Sequence, residues 1–185
     1  MGVVDTHCHL DLIEERGLPL EEVIELAQVT KIEALLQIAT DLESSLWNRE
    51  LSGRWQELDE TGSLDFYWTV GLHPEAADQI DDLDSIFELA QKHKGDPTFW
   101  GLGETGLDYF HTTEYKKEQL ESFERHLELA EELGLPIVGS IPARGVGGTV
   151  PARFRRGTSL TLGPARWETP VFLCLDLTAI GGFFG

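Results

Sequence analysis

Two hydrophobic patterns alternate along residues 1–138. Continuous apolar runs, typical of buried strands, occupy residues 2–7, 33–39, 66–74 (where the strand ends at Gly71), 98–106 and 135–138. Between these runs, apolar residues recur every three or four positions, as they do on the buried face of a helix. The helical stretches cover residues 20–29, 47–58, 80–90 and 120–130. This alternation predicts an α/β fold in which crossover helices join parallel strands.

The spacing of these units indicates which α/β fold they build. Four strand–helix units take roughly 130 residues, so eight would take roughly 260, which is the usual length of a TIM barrel. We therefore predict a partial (β/α)8 barrel of the TIM type, with the first five β/α units recognisable and an irregular C-terminal part. A doubly wound open sheet is the alternative, although no glycine-rich phosphate loop follows the first strand.

The alternating pattern ends at Val138. Residues 139–164 are rich in Gly, Pro and Arg and predict neither strand nor helix, and the apolar segment 171–185 has no obvious partner. The charge changes at the same place. Residues 1–138 hold 9 Lys and Arg against 31 Asp and Glu, whereas residues 139–185 hold five Arg and two acidic residues. We therefore expect a barrel portion over residues 1–138 and an aberrant tail over residues 139–185.

Composition limits the class of protein. The net charge of -19 argues against broad electrostatic binding of a phosphate backbone, but not against a nucleic acid held through metal ions. No apolar run approaches the ~20 residues of a membrane span. The first residues, MGVVDTHCHLD, lack the basic and apolar segments of a signal peptide. We expect a cytoplasmic monomer that does not bind a membrane.

Two histidines end the first predicted strand. Residues i and i+2 of a strand share a face, so His7 and His9 can reach one metal ion, for which imidazole is a good ligand. The pair alone is a weak signal. Asp5 lies on the same face, either as a partner that orients a histidine or as an acid that caps the strand end. Cys8 points the other way and is expected to be a small buried group.

Further candidates follow the third and fourth strands. Glu104 ends the fourth strand after two glycines, which allow close approach of a neighbouring element. A carboxylate across the barrel mouth from the two histidines can bridge two metal ions, although alone it would be taken for a loop acid. His73 ends the third strand, at the edge where TIM barrels keep their active sites. A hydrogen-bonded histidine on the rim is an equal alternative for His73.

The remaining polar candidates have simpler interpretations. Asp108 can orient a ligand, but capping of the following loop is the interpretation that we favour. His93 and His126 lie in helical stretches beside Lys92 and Arg125, so we expect both to be solvated. The sequence places His111 in a polar loop, where we do not expect it to bind a metal.

Taken together, the motifs resemble the TatD family of metal-dependent hydrolases. DTHCHLD (5–11), VGLHPE (70–75) and GLGETGLDYF (101–110) occur in the order and rough spacing of the family patterns DxHxH, GxHP and GExGLD. The segment QLESFERHLELAEELGLPIV (119–138) is also similar to the family. The resemblance covers residues 1–138 densely, and three motifs in order are highly specific.

This resemblance implies a TIM-type barrel that hydrolyses phosphodiester bonds, most typically those of DNA, with a metal-activated water. It implies that His7, His9 and Glu104 are metal ligands, with Glu104 shared between the two divalent ions of an intact site. Mg²⁺, Mn²⁺ and Zn²⁺ are all compatible with these ligands. It leaves Asp5, His73 and Asp108 as candidates for contact with the substrate or with the metal ligands. DNA is the partner that we expect.

The tail departs from the family pattern. The family has a histidine after the segment LPIV, where this chain has Gly139, Ser140 and Ile141. A later histidine motif corresponds to SLTLG (159–163), and the last metal-binding aspartate of the family has no counterpart. Codons for GSIPA, read two bases further on, can encode Phe-His-Ser-Arg. We therefore hypothesise that the reading frame shifts after Val138 and partly returns near Gly163.

Three alternatives remain open at this stage. The tail can belong to a truncated and diverged paralogue in which no frameshift occurred. The chain can be a catalytically incompetent remnant that binds at most one metal ion. It can also be an amidohydrolase-like barrel that acts on C–N bonds, although that wider group often has a carbamylated lysine where this chain has Glu104.

Overall fold

Five parallel strands form the framework of the molecule. The computed structural model describes residues 3–109, 111, 113–141, 159–162 and 171–176. The five strands pair in chain order, and they are β1 Val3–Cys8, β2 Ile32–Gln37, β3 Asp65–Val70, β4 Phe99–Gly106 and β5 Ile137–Ile141. They curl into a half-barrel accompanied by helices, so the predicted partial TIM-type barrel is confirmed.

Helices connect the strands, and local chemistry sets several helix ends. The helices are α1 Leu10–Glu15, α2 Leu20–Val29, α3 Leu42–Leu58, α4 Leu83–His93 and α5 Lys116–Leu133, with a 3-10 segment over Pro74–Asp82. Asp41 caps α3, because its carboxylate accepts a hydrogen bond from the amide of Ser44 while the Ser44 hydroxyl accepts one from the amide of Asp41. Gly134 ends α5 in the left-handed conformation, with a φ of 65°. The hydrophobic pattern does not predict α1, because six residues are too few to show a helical period.

The main core lies between the strands and the helices. Phe66, Trp68 and Val70 alternate along β3, face the helices and are buried. The predicted helical stripes supply the other side of this core: Leu20, Ile24, Ala27, Leu51, Trp55, Leu83, Ile86, Ala90, Leu129 and Ala130. A second, smaller cluster joins Leu36, Ile38 and Val138. β2 and β5 therefore carry apolar residues on both faces, with Leu35 and Ile137 in the main core and Leu36 and Val138 in the smaller cluster.

Glycines allow the central strands to approach one another closely. A Cβ atom at Gly101 would lie 2.3 Å from the carbonyl oxygen of Pro136, and one at Gly103 would lie 2.3 Å from that of Val138. A Cβ at Gly71 would lie 2.5 Å from the carbonyl carbon of Gly103. A side chain at any of these positions would push neighbouring backbone away and displace the end of β4.

Two strands of the tail extend the sheet. β7, Val171–Asp176, runs antiparallel to β5, and β6, Ser159–Leu162, runs antiparallel to β7. The expectation that the apolar end has no partner is therefore wrong for Val171–Asp176, because the edge of β5 offers backbone groups that an extended apolar segment can pair with. The expectation that residues 139–164 form neither strand nor helix is also wrong for residues 139–141, which belong to β5, and for Ser159–Leu162. The other residues of the predicted irregular tail lie outside the described residues.

No helix within the described ranges is long and apolar enough to cross a membrane.

Candidate metal centre

The two histidines of the first motif converge at the end of β1. His7 lies within β1, and His9 follows it at the junction between β1 and α1. Their Nε2 atoms are 3.2 Å apart, and their rings meet edge to face. The Asp5 carboxylate accepts a hydrogen bond of 3.1 Å from the backbone amide of His7. Asp5 therefore holds the backbone near the end of β1, as expected for an acid that caps the strand end.

Glu104 reaches the same point from β4. Its side chain is almost fully buried, and one carboxylate oxygen lies 3.4 Å from Nε2 of His7. Backbone contacts hold it there, because the amide of Glu104 donates to the carbonyl of Ala39 and the hydroxyl of Thr69 donates to the carbonyl of Gly103. One ligand atom from each of His7, His9 and Glu104 lies within 4.8 Å of the others. The structure thus brings together the three predicted metal ligands.

His73 completes the wall of the site on the side of β3. It is the N-terminal cap of the 3-10 segment, and its Nδ1 accepts a hydrogen bond of 3.2 Å from the amide of Glu75. Because Nδ1 is an acceptor, the neutral ring carries its proton on Nε2. That Nε2 lies 3.7 Å from the second carboxylate oxygen of Glu104. His73 is therefore a hydrogen-bonded rim histidine and also borders the candidate metal centre.

The local charges favour the protonation states that bind a cation. Burial, followed by the nearby His7, lowers the pKa of His9, so that the neutral imidazole is favoured. Burial raises the pKa of Glu104, but the hydrogen bond from His7 and the positive charge that His73, His7 and His9 carry when protonated outweigh it, so the pKa lies below its ordinary value. A neutral imidazole and an ionised carboxylate are the forms in which these groups bind metals.

The donor set itself fits a divalent metal. Two imidazole nitrogens and one carboxylate oxygen, converging from two strands, are ligands that Zn²⁺, Mn²⁺ and related ions accept. His7 and His9 supply the nitrogens, and Glu104 supplies the oxygen. Three protein ligands leave coordination positions for water or substrate, as in catalytic rather than purely structural sites.

Asp108 and His111 form a second cluster together with Glu75. The Asp108 carboxylate accepts a hydrogen bond from the backbone amide of His111 and contacts its Nδ1 at 2.5 Å. Asp108 therefore caps this turn, as the sequence suggested. The hydrogen bond and the charge of Asp108 raise the pKa of His111. Donor atoms of Glu75, Asp108 and His111 also lie within 4.8 Å of one another, but Glu75 and His111 are exposed, and we assign no ion to this group.

Two histidines predicted to be solvated are not. His126 is fully buried in α5, where its Nδ1 lies 2.7 Å from the carbonyl of Ser122 and its Nε2 accepts a long hydrogen bond from the amide of Leu72. Burial lowers its pKa to about 4. His93 is half-buried against the ring of Trp68, and burial lowers its pKa as well. Rings from other elements cover both histidines, Phe87 over His126 and Trp68 over His93, and helical position alone does not predict such contacts.

Sequence reasoning also missed Gln37, which lies at the end of β2. It is fully buried, and its side-chain amide bonds to the segment that follows His9. A glutamine inside the apolar run EALLQIA was the available signal, since a buried polar group requires hydrogen-bond partners.

The match to known proteins covers the same part of the chain. A family model described as TatD related DNase matches residues 4–139, which include every ligand of the candidate centre. The chain belongs to the TatD family. The TatD resemblance inferred from the three motifs is thereby confirmed.

Individual TatD-related proteins align over the same region. "Uncharacterized metal-dependent hydrolase YcfH" of Escherichia coli strain K12 is 33% identical over 140 residues, which are 75% of this chain and 48% of YcfH. Human "Deoxyribonuclease TATDN3" is 29% identical over 143 residues, which are 74% of this chain and 51% of TATDN3. The chain thus spans about half the length of these relatives.

A solved structure supports the fold. The crystal structure of an uncharacterized amidohydrolase from Saccharomyces cerevisiae superimposes with a TM-score of 0.64 over 74% of this chain and 47% of that chain, at 20% identity. At this identity the similarity supports a shared fold alone.

One expected TatD position carries no imidazole. After the segment LPIV the family pattern has a histidine, and at that place β5 carries Gly139, Ser140 and Ile141, of which Gly139 and Ser140 pair with Thr105 and Gly106 of β4. Among the described residues, β5 therefore adds no histidine to the centre formed by His7, His9 and Glu104.

Proposed function

We propose that the site hydrolyses phosphodiester bonds of DNA with the help of divalent metal ions. The observation that carries this proposal is the convergence of His7, His9 and Glu104 within 4.8 Å at the C-terminal edge of the strands. The name of the human relative as a deoxyribonuclease supports DNA as the substrate. Two ions in an intact site, a monomeric chain and a cytoplasmic location remain part of this proposal.

The residues have separate tasks in the proposed reaction. His7, His9 and Glu104 would hold an ion, which when bound acts as a Lewis acid and makes water a nucleophile at neutral pH. His73 borders the site with the N–H of its Nε2, which can donate a hydrogen bond to a phosphate oxygen. The cap to the amide of Glu75 holds the His73 ring in that orientation. Asp5 secures the backbone of His7.

A second candidate is a remnant that binds a single ion and does not catalyse hydrolysis. The segment Gly139, Ser140 and Ile141, which stands where TatD proteins have a histidine motif, favours this alternative. The three described ligands suffice for one ion, whereas a two-ion clamp needs more donors than His7, His9 and Glu104 provide.

The two candidates differ in activity and in metal stoichiometry. We would measure cleavage of duplex DNA by the purified chain with Mn²⁺ or Mg²⁺, together with the bound metal per chain. The proposed function predicts cleavage that chelator abolishes and that Glu104→Gln lowers by at least about a hundredfold, since even the outer partners of metal ligands contribute roughly 10–100-fold.

The matched control is Glu43→Gln, the same substitution at an exposed position in the first turn of α3, which should retain the activity. One bound ion per chain without cleavage would support the remnant instead. Cleavage that Glu104→Gln leaves unchanged would show that the activity does not come from this site.

A further inference from the structure

His9 is the least regular part of the candidate centre. β1 ends at Cys8 and α1 begins at Leu10, so His9 belongs to neither element, and its φ of -128° and ψ of 81° are those of a junction residue. No side chain of this segment caps α1. Because a metal ligand must be held within roughly 0.5 Å of its productive position, something outside the segment must fix this junction.

Gln37 makes the contacts that fix it. Its side-chain oxygen accepts a hydrogen bond of 2.6 Å from the amide of Leu10, and its side-chain nitrogen donates one of 3.0 Å to the carboxylate of Asp11. The thiol of Cys8 lies 3.9 Å from the same oxygen. One buried amide thus holds the residues on both sides of His9.

The backbone places Gln37 for this task. Cys8 and Gln37 are paired across the parallel strands β1 and β2, and the amide of Ile38 donates to the carbonyl of Cys8. Gln37 is fully buried, so its side chain has no water to exchange for these partners. Its oxygen also satisfies the Leu10 amide at the start of α1, which would otherwise lack a partner.

We propose that Gln37, together with Asp11, is a positioning pair that sets the place of His9 in the metal centre. This inference rests on the proposed function, because it requires that His7, His9 and Glu104 bind an ion. Gln37 touches neither the ion nor the substrate in this account. It acts through the main chain of residues 8–11.

The test is a titration of the full chain with Co²⁺, whose visible absorption reports on the ligands that surround it. Gln37→Met keeps the size of the side chain and the net charge but removes both hydrogen bonds. We expect it to weaken Co²⁺ binding by about 10–100-fold, the usual effect of losing a partner that orients a metal ligand, and to change the absorption band.

A swapped pair separates positioning from packing. In the variant Gln37→Glu/Asp11→Asn, a carboxylate still accepts from Leu10 and the new amide donates back to it, at unchanged net charge. We expect the affinity of this variant for Co²⁺ to lie within about threefold of that of the wild type, which is a smaller loss than the roughly tenfold minimum expected for Gln37→Met. A swapped pair as weak as Gln37→Met would overturn the proposal.

The matched control is Gln28→Met. Gln28 makes the same type of contact, from its side-chain nitrogen to the carboxylate of Asp59, in a part of the fold remote from the His9 junction. We expect it to leave both the affinity and the band of Co²⁺ unchanged. An equal loss in Gln28→Met and Gln37→Met would indicate a general effect on the fold and would overturn the proposal.

Folding failure of Gln37→Met leaves a second comparison. Asp11→Leu and Asp11→Asn both remove the carboxylate charge, but only Asp11→Asn keeps an acceptor for Gln37. Weaker Co²⁺ binding by Asp11→Leu is expected, and equal binding by the two would overturn the proposal.

If the wild type shows no Co²⁺ band that depends on His9 and Glu104, the proposed function and this inference both fail. If that band exists and Gln37→Met leaves it unchanged, only this inference fails.

Discussion

His126 should make the folded chain sensitive to mild acid. The pKa of a histidine in an unfolded chain is near 6.5, whereas burial lowers that of His126 to about 4. Protonation is therefore disfavoured in the folded state. The stability that the neutral ring provides is complete above pH 6.5 and is lost as the pH falls from 6.5 towards 4. Between pH 7 and pH 5 this difference in proton binding lowers the free energy of unfolding by about 2 kcal/mol.

A variant isolates this contribution from that of the many carboxylates. His126→Gln keeps an acceptor for the amide of Leu72 but does not titrate. We would measure urea unfolding of both chains at pH 7 and pH 5. The wild type should lose about 2 kcal/mol more than the variant between the two pH values.

The control for this measurement is His111→Gln. His111 is exposed, and Asp108 raises its pKa, so that its protonation favours the folded state as the pH falls. This variant should therefore be at least as sensitive to acid as the wild type. Equal pH dependence of the wild type and His126→Gln would refute the reasoning, because it would mean that the buried ring carries no penalty for protonation.

Three further predictions concern the framework and the gene. Gly103→Ala should lower the free energy of unfolding by more than about 2 kcal/mol, because its φ is 131° and a Cβ would meet the carbonyl of Val138. Gly53→Ala, in the interior of α3 where a Cβ meets no other atom, should raise the free energy of unfolding by about 0.5–1 kcal/mol. Both variants would be measured by urea unfolding, and a change of the same sign in the two would contradict the packing described for Gly103. Asp41→Ala should lower the free energy of unfolding by about 1 kcal/mol, because it removes the cap of α3. The control in the same measurement is Glu43→Ala, which should have little effect. We propose that resequencing the gene will reveal an insertion or deletion after the Val138 codon, and an intact frame shared with close relatives would exclude it.

The sequence predicted the elements whose signal is periodic. The boundaries of α2 agree with the predicted range. The strands β2 to β5 and the helices α3, α4 and α5 differ from their predicted ranges only at their ends. The helices are visible because one face of each packs in the main core and burial imposes the helical period, whereas the strands are visible as short continuous apolar runs. The short helix α1 was not visible, because six residues show no helical period. The segment of β7 was visible as apolar, but its pairing with β5 joins residues that lie far apart in sequence.

The candidate site was predictable where a motif carried it. His7, His9 and Glu104 were identified because strand alternation and motif order place them at one edge of the sheet. The supporting residues were not identified, because their roles depend on contacts between elements that are distant in sequence. Gln37 bonds to Asp11 of α1, 26 positions away, and His126 bonds to Leu72, which follows β3, 54 positions away. Such contacts follow from packing, which no local pattern reports.

The most direct test of the central claim is anomalous X-ray diffraction from crystals of the chain grown with Zn²⁺. An ion held by the three ligands would give an anomalous peak about 2.0–2.2 Å from Nε2 of His7, from Nε2 of His9 and from a carboxylate oxygen of Glu104. Density that shows these three side chains ordered with no peak between them, while Zn²⁺ binds elsewhere on the surface, would contradict the claim.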